Sequence, residues 1–181
     1  MDQPKCNTIE IDGVLFNDGF SVYLMELVDG DNTFYYVGMT GDHYYPSARS
    51  AFHRLGGHFD KALHSTQNQI GAHIGHRDSY EGLKLRMHHF PIEGYERIEG
   101  VSNKKGDENY FGGSHYEKEY ASYKAAQTEV AKLEKHIIYL LKERFEGVEP
   151  FPVVNKTKGE RSEVLNEHHQ AIVTKIMDII K

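Results

Sequence analysis

The chain has 181 residues, of which 39% are hydrophobic and 27% charged, and this balance excludes a disordered chain and fits a single globular domain, 1–181. The formal net charge of −6 excludes an overall basic coat, so any contact with nucleic acid must use a local basic groove. Because Cys6 is the only cysteine, an internal disulfide and a multi-cysteine zinc site are both excluded.

The first part of the chain predicts short antiparallel strands. Residues 8–16 are typical of an N-terminal hairpin that turns at Asp12-Gly13. Two apolar stretches, 21–27 and 33–37, flank a cluster of aspartate and glycine and therefore predict a second hairpin.

The rest of the chain predicts helices around one further strand. A helix from Pro46 that ends at Gly56-Gly57 is followed by a helix over 60–76 and a strand over 83–90. A surface loop over 94–114 then leads to a helix from Tyr116 to Phe145, which Pro150 and Pro152 stop. The last predicted element is a C-terminal helix from Ser162 to Ile180. The order predicts an α+β fold with a small, mainly antiparallel, three-stranded sheet flanked by helices.

Two tyrosines lie in the second predicted hairpin. If its connection is the four residues from Val28 to Asp31, Leu27 pairs with Asn32, and Tyr23 falls directly opposite Tyr36 on one face of the sheet. Two phenols about 5 Å apart at their Cβ atoms can bracket a phosphate or a water molecule. The alternative, which the hairpin alone favours, is an aromatic pair that only packs.

The motifs that follow these tyrosines occur in a specific order. Residues 21–23 (Ser-Val-Tyr) and 36–38 (Tyr-Val-Gly) precede Arg54 and His58. This arrangement resembles the GIY-YIG nuclease family over about residues 20–156, although the first triplet begins with serine where the family has glycine. The resemblance implies hydrolysis of DNA phosphodiester bonds with Mg²⁺ or another divalent cation such as Mn²⁺. The compact chain is similar to stand-alone restriction or phage-type endonucleases.

The resemblance implies roles for Arg54 and His58. A guanidinium offers a planar fork of donors that suits two phosphate oxygens and stabilises the charge that builds up there in the transition state. His58 would orient a phenol or accept its proton. The alternatives are a solvated helix arginine and one more surface histidine.

Glu134 lies among the apolar positions of the longest predicted helix, which are Val130, Leu133, Ile137, Ile138 and Leu141. A buried carboxylate without a partner is costly, so we expect either an ion pair across the core or a metal ion. The resemblance implies that Glu134 binds the divalent cation, with Glu129 as its rival nearer the edge of the apolar stripe. It also implies that Asn155 bonds to the site from a loop, for which the alternative is simple turn chemistry.

These residues predict a mechanism and a geometry. Tyr23 would act as general base for the attacking water or would orient it, and a nearby cation must then favour its phenolate. Tyr36 and His58 would orient the reacting groups. We expect Tyr23, Tyr36, Arg54 and Glu134 to converge on one site. The alternative function is a nucleic-acid-binding or structural module that keeps the fold without turnover.

The expected partners follow from charge and hydropathy. Lys104 and Lys105, in the predicted loop, are candidates for contact with DNA phosphates. Cutting both strands would be easier for a homodimer or a higher homo-oligomer. The polar first residues and the lack of a bilayer-length apolar run predict no membrane partner and a cytoplasmic location.

Overall fold

The computed structural model describes residues 8–42, 45–59, 69–75, 79–102, 104–111 and 117–180. Within these ranges a short 3-10 helix, Gly13–Phe16, is followed by strands β1 (Phe20–Asp29), β2 (Asn32–Met39) and β3 (Lys84–Ile92) and by helices α1 (Ala51–Phe59), α2 (Gln69–Ile74), α3 (Glu117–Arg144) and α4 (Glu167–Ile179). The strands form an antiparallel sheet in the order β2-β1-β3. The predicted α+β class with a three-stranded antiparallel sheet is therefore confirmed.

The predicted N-terminal hairpin over residues 8–16 is wrong. Its second half is the 3-10 helix, and none of the strands of the described ranges includes residues 8–16. The Asp12 carboxylate accepts a hydrogen bond from the Val14 amide at 3.1 Å. An aspartate that bonds to its own backbone two residues further on stabilises a turn locally, without a partner strand.

The hairpin of β1 and β2 is tighter than predicted. Asp29 pairs with Asn32 and Leu27 with Phe34, so the connection is two residues rather than the predicted four. Gly30 adopts a φ of 60°, which a two-residue hairpin turn needs and which glycine accepts without steric cost. Because the register differs by two positions, each side chain keeps its predicted face of the sheet.

The two faces of the sheet are covered by different helices. Val22, Leu24 and Val37 belong to a buried cluster with the apolar residues of α3 and α4. The opposite face carries Tyr23, Met25, Leu27 and Tyr36, which pack against Ile70 and Ile74 of α2 and Leu55 of α1. The sheet thus separates the layer formed with α3 and α4 from the layer that contains Tyr23 and Tyr36.

Helix α1 differs from its prediction at both ends. It begins at Ala51 rather than Pro46, where the Ser50 hydroxyl accepts a hydrogen bond from the His53 amide at 3.2 Å. It continues through Gly56 and Gly57 to Phe59. Each glycine costs a helix about 1 kcal/mol relative to alanine, yet the helix continues to a last turn in which His58 is buried.

Helix α4 also begins later than predicted. Asn166, and not Ser162, caps it by accepting a hydrogen bond from the His169 amide at 2.7 Å. Ser162 instead donates its amide to Nδ1 of His136 at 3.0 Å, which holds the preceding segment against α3. Serine and asparagine are both good N-caps, and the contact between Ser162 and His136 decides that Asn166 caps α4.

The remaining predicted elements agree in kind. β3 extends the predicted strand to Ile92, and α3 ends before Pro150, as expected. Of the predicted helix over 60–76, α2 covers Gln69–Ile74, and residues 60–68 lie outside the described residues, as does Tyr116. The described part of the loop over 94–114 contains one isolated bridge, between Ser102 and Tyr110. No helix of the described ranges has the length and apolarity needed to cross a membrane.

Candidate active site

The centre of the candidate site is a hydrogen bond between a strand and a helix. Tyr23, on the central strand, places its hydroxyl 2.8 Å from Nε2 of His58, on the last turn of α1. Each residue is only 2% exposed. With the imidazole proton on Nδ1, the phenol donates and Nε2 accepts, so His58 is positioned to receive the Tyr23 proton.

Tyr36 completes an aromatic cluster with this pair. Its ring centroid lies 6.5 Å from that of Tyr23 and 4.6 Å from that of His58. The two tyrosines are diagonal neighbours rather than directly opposed, because Tyr23 pairs with Gly38 and Tyr36 pairs with Met25. The predicted direct pairing is therefore wrong, but the predicted common face is observed.

Gly38 has a role that the motif alone did not reveal. A Cβ atom built there would lie well under 3.0 Å from the Tyr23 ring. The phenol lies flat over the glycine backbone, and only a residue without a side chain leaves it room. The Tyr-Val-Gly triplet thus needs glycine at its third position, because the ring of Tyr23 packs against that position.

Both phenols are held in their neutral form. Burial raises the pKa of Tyr23 well above its ordinary value, Tyr36 raises it further, and the positive charge of Arg54 offsets this only in part. Burial, followed by the charge of Glu134, likewise raises the pKa of Tyr36. The charge of Arg54 favours the phenolate of Tyr23, as predicted of a nearby cation, but burial outweighs it, and His58 is the hydrogen-bonded group that can accept the Tyr23 proton.

Arg54 lies beside the tyrosines, on the same helix as His58. Its Nη2 donates to the Gly41 carbonyl at 3.2 Å. Its Nε is buried and makes no hydrogen bond within the described ranges. A buried donor that stays unpaired costs about 1–3 kcal/mol, so this nitrogen is poised for an anionic acceptor.

Glu134 is the carboxylate of the cluster. Burial raises the pKa of Glu134 to about 7, against the opposing effects of Arg54 and Lys135. Its side chain is half-buried, and no hydrogen bond from a described residue reaches it. Glu129 instead lies on the surface and pairs with Lys132 at 2.7 Å. Glu134, and not Glu129, is the α3 carboxylate whose charge acts on Arg54 and on both phenols.

The donor set at Glu134 fits one class of cation. In the part of the chain that the structure describes, no group of three histidine, cysteine or acidic side chains is arranged to hold a metal ion. A carboxylate that accepts no hydrogen bond from the described residues suits Mg²⁺, which keeps several waters and takes further oxygens from substrate phosphates.

Asn155 acts on the backbone rather than in the site. Its Oδ1 accepts from the Val37 amide at 2.9 Å, and its Nδ2 donates to the Val37 carbonyl at 2.7 Å. The side chain thus pairs with the outer edge of β2 between Tyr36 and Gly38. The predicted bond from a loop to the reacting groups is not observed, and Asn155 is a positioning residue for the second triplet.

Sequence reasoning missed Tyr123, on α3. Its hydroxyl accepts from the Asp42 amide at 2.8 Å and donates to the Ser47 carbonyl at 2.6 Å. It therefore ties α3 to the segment that carries Gly41, the partner of Arg54. A tyrosine in the apolar stripe of a helix was the available signal, but its partners are about eighty positions away in the chain.

Lys104 and Lys105 are not part of this cluster. Both are exposed, in a turn closed by a hydrogen bond from the Asp107 amide to the Lys104 carbonyl. The loop is anchored by Phe111, whose ring lies 5.6 Å from Tyr45 and 5.2 Å from Tyr120. Contact between these lysines and DNA stays a prediction.

Comparison of the chain with known protein families, curated proteins and solved structures gave no significant match. Function is therefore argued from the geometry of the site.

Proposed function

We propose that the chain is a divalent-metal-dependent DNA endonuclease of the GIY-YIG type, which hydrolyses phosphodiester bonds. One observation carries the proposal: a buried guanidinium nitrogen of Arg54 has no hydrogen-bond partner among the described residues, and its charge interacts with Glu134, a carboxylate that accepts no hydrogen bond from them. A phosphate and a cation would satisfy these two groups together, whereas a purely structural pair would bond directly.

Arg54 provides the phosphate site. Its Nε is a charged hydrogen-bond donor for which the described residues supply no acceptor. A phosphate oxygen there gains a charge-assisted hydrogen bond that strengthens as negative charge builds up in the transition state. The bond from Nη2 to the Gly41 carbonyl keeps the guanidinium oriented before the substrate arrives.

Tyr23 and His58 provide the proton path. The attacking water gives a proton to the phenol oxygen of Tyr23 as Tyr23 passes its own proton to Nε2 of His58, 2.8 Å away. The water oxygen bonds to phosphorus, and the bond from phosphorus to the leaving oxygen breaks. No phenolate forms, which agrees with the raised pKa of Tyr23. Tyr36 packs against the imidazole and keeps it in place.

Glu134 would hold the cation, with water and phosphate oxygens as its remaining ligands. A divalent cation held there, Mg²⁺ or Mn²⁺, would supply positive charge that stabilises the leaving oxygen. The proposed setting is the cytoplasm, and the proposed assembly for cutting both strands is a homodimer or higher homo-oligomer.

The decisive experiment is a plasmid-nicking assay with and without Mg²⁺. Glu134→Gln removes the charge with nearly the same shape, so nicking should fall by orders of magnitude while DNA binding persists. Glu129→Gln is the matched control, because it removes an exposed carboxylate from the same helix, and it should nick like the wild type.

Two results would contradict the proposal. If Glu134→Gln retains Mg²⁺-dependent nicking, the metal site lies elsewhere. If the wild type binds DNA without cleaving it under any divalent metal, the binding module without turnover is the correct function.

A further inference from the structure

Two buried hydroxyl groups lie at the end of the sheet, beside the candidate site. Ser21 and Thr40 are 1% and 0% exposed, and their hydroxyl oxygens are 3.2 Å apart. Continuing the register that pairs Tyr23 with Gly38 places Ser21 opposite Thr40, on the same face of the sheet as Tyr23. This hydroxyl pair therefore lies two positions along the strands from the tyrosine and the glycine that its ring covers.

The hydroxyl pair forms a chain of hydrogen bonds with a definite direction. The Thr40 hydroxyl donates to the Gly19 carbonyl, which can only accept. Because a hydroxyl group carries a single hydrogen, the Thr40 oxygen must accept from Ser21 rather than donate to it. The chain thus runs from Ser21 through Thr40 to Gly19, and it satisfies two hydroxyl groups that would be costly to bury alone.

Gly19 connects this chain to the start of helix α1. Its amide donates to the Ala48 carbonyl at 2.8 Å. The neighbouring residue, Asp18, accepts a hydrogen bond from the Ser50 amide at 3.1 Å, directly before α1 begins. The hydroxyl pair is therefore linked to the N-terminal end of the helix that carries Arg54.

Thr40 is also linked to the group that Arg54 contacts. Gly41, whose carbonyl accepts a hydrogen bond from Nη2 of Arg54 at 3.2 Å, follows Thr40 directly in the chain. The Thr40 amide donates to the Ser21 carbonyl at 2.9 Å, so that both the backbone and the side chain tie Thr40 to β1. The helix that carries the guanidinium and the carbonyl that orients it are consequently attached to the same two residues.

We infer that Ser21 and Thr40 are positioning residues that hold the guanidinium of Arg54 in place for phosphate. Nε must face a phosphate oxygen while Nη2 stays on Gly41, and this requires a fixed distance between the start of α1 and the end of β2. A guanidinium oriented in advance costs no reorganisation when charge builds up on the phosphate. The inference rests on the proposed nuclease function and adds two residues that act on the phosphate through Arg54.

The first test replaces Thr40 with valine, which has nearly the same shape and lacks the hydroxyl. Thr40→Val should lower kcat for Mg²⁺-dependent plasmid nicking roughly 10- to 100-fold, as the misplacement of a reacting group does, while the Kd for duplex DNA stays close to that of the wild type. Thr40→Ser keeps the hydroxyl and should keep most of kcat. Ser21→Ala should have a smaller effect than Thr40→Val, because the bond from Thr40 to Gly19 survives.

A double-mutant cycle separates positioning from general stability. Arg54→Lys removes the planar fork and therefore the group that is to be positioned. In that background Thr40→Val should cause little further loss of kcat in single-turnover nicking, whereas a purely structural role would give the same fold-loss in both backgrounds. Thr174→Val is the matched control, because it deletes a hydroxyl that donates to the Gln170 carbonyl at 3.0 Å on α4, and it should nick like the wild type. Circular dichroism should confirm that each variant is folded at the assay temperature.

A second measurement does not depend on cleavage. The Nε–H group of Arg54 is buried, and its signal in a ¹H–¹⁵N spectrum is assigned by its loss in Arg54→Lys. Thr40→Val should shift or broaden this signal, because the guanidinium is no longer held in one orientation. Thr40→Ser and Thr174→Val should leave it as in the wild type.

The outcomes distinguish the two proposals. If the wild type nicks DNA but Thr40→Val keeps both kcat and the Arg54 signal, or if its fold-loss is the same in the Arg54→Lys background, Ser21 and Thr40 do not position Arg54 and the nuclease proposal stands. If the wild type does not nick plasmid while Thr40→Val still shifts the signal, the nuclease proposal fails and the positioning of Arg54 by the hydroxyl pair stands.

Discussion

At the scale of single residues, the site depends on pairs of groups that complete each other. Tyr23 needs Gly38 beneath its ring and His58 beside its hydroxyl. Val37 needs Asn155 at the edge of its strand. These contacts give each of the short motifs a physical reason: the tyrosines carry chemistry, and the residues between and after them fix where the phenols lie.

Gly38→Ala is expected to damage both stability and activity. The added methyl group would overlap the buried Tyr23 ring, and overpacking of this kind typically costs about 1–3 kcal/mol. Urea unfolding should show that loss, and nicking should fall because the phenol moves away from His58. Gly56→Ala is the matched control: no atom lies within 4 Å of its Cβ position, and alanine favours the helix by up to about 1 kcal/mol. Equal stability of the two variants would contradict this packing argument.

At the scale of elements, the helices are held by contacts at their ends. Ser50 begins α1, Asn166 begins α4, and Tyr123 ties α3 to the segment beside Arg54. The first turn of α4 also buries His169, whose neighbour His168 stays exposed. That pair of adjacent histidines allows a controlled test of how α4 docks.

His169 should make the stability of the protein depend on pH. Burial, and next to it His168, lowers the pKa of His169 in the folded chain, so protonation favours the unfolded chain. This contribution to stability is complete above the unfolded pKa of about 6.5 and is lost as pH falls below it. His169→Gln should therefore flatten the fall in unfolding free energy between about pH 7 and pH 5, as measured by urea titration. His168→Gln should flatten that fall only slightly, because His168 is the lesser cause of the lowered pKa, and an equal flattening by both variants would argue against burial as the main cause.

At the scale of the whole molecule, the sheet brings together groups that are far apart in the chain. β1 supplies Tyr23, β2 supplies Tyr36, α1 supplies Arg54 and His58, and α3 supplies Glu134. The half-buried carboxylate and the buried guanidinium nitrogen are costly in the folded protein without a ligand. Binding of the proposed cation should consequently stabilise the entire fold.

Mn²⁺ is therefore expected to raise the Tm of the wild type. At about ten times its Kd, a ligand that binds only the folded state adds about 1.4 kcal/mol, which corresponds to roughly 3–5 °C for a domain of this size. Glu134→Gln should lose this shift and Glu129→Gln should keep it, in calorimetric scans with Mn²⁺ and with a chelator. Equal shifts in all three proteins would place the cation away from Glu134.

Much of the architecture could be predicted from local patterns. Alternation along β1 and β2 determined that Tyr23 and Tyr36 share a face, since any even register keeps them together. The apolar stripe of α3 favoured Glu134 over Glu129 as the inward-facing carboxylate, and in the structure Glu134 is half-buried while Glu129 is exposed. The sequence alone determined these features because hydrophobic periodicity depends only on residues that are close together in the chain.

Only the tertiary structure decided the features that depend on distant partners. Three features depend on packing: the two-residue turn, the continuation of α1 through two glycines and the start of α4 at Asn166. In each of them, packing either outweighs a local conformational preference or selects one of several local possibilities. The neutral phenol of Tyr23 follows from its burial in a cluster to which β2, α1 and α2 contribute. The bond of Asn155 to Val37 joins residues 118 positions apart. No local pattern encodes such a distance, because the free energy of these contacts exists only once the elements are packed together.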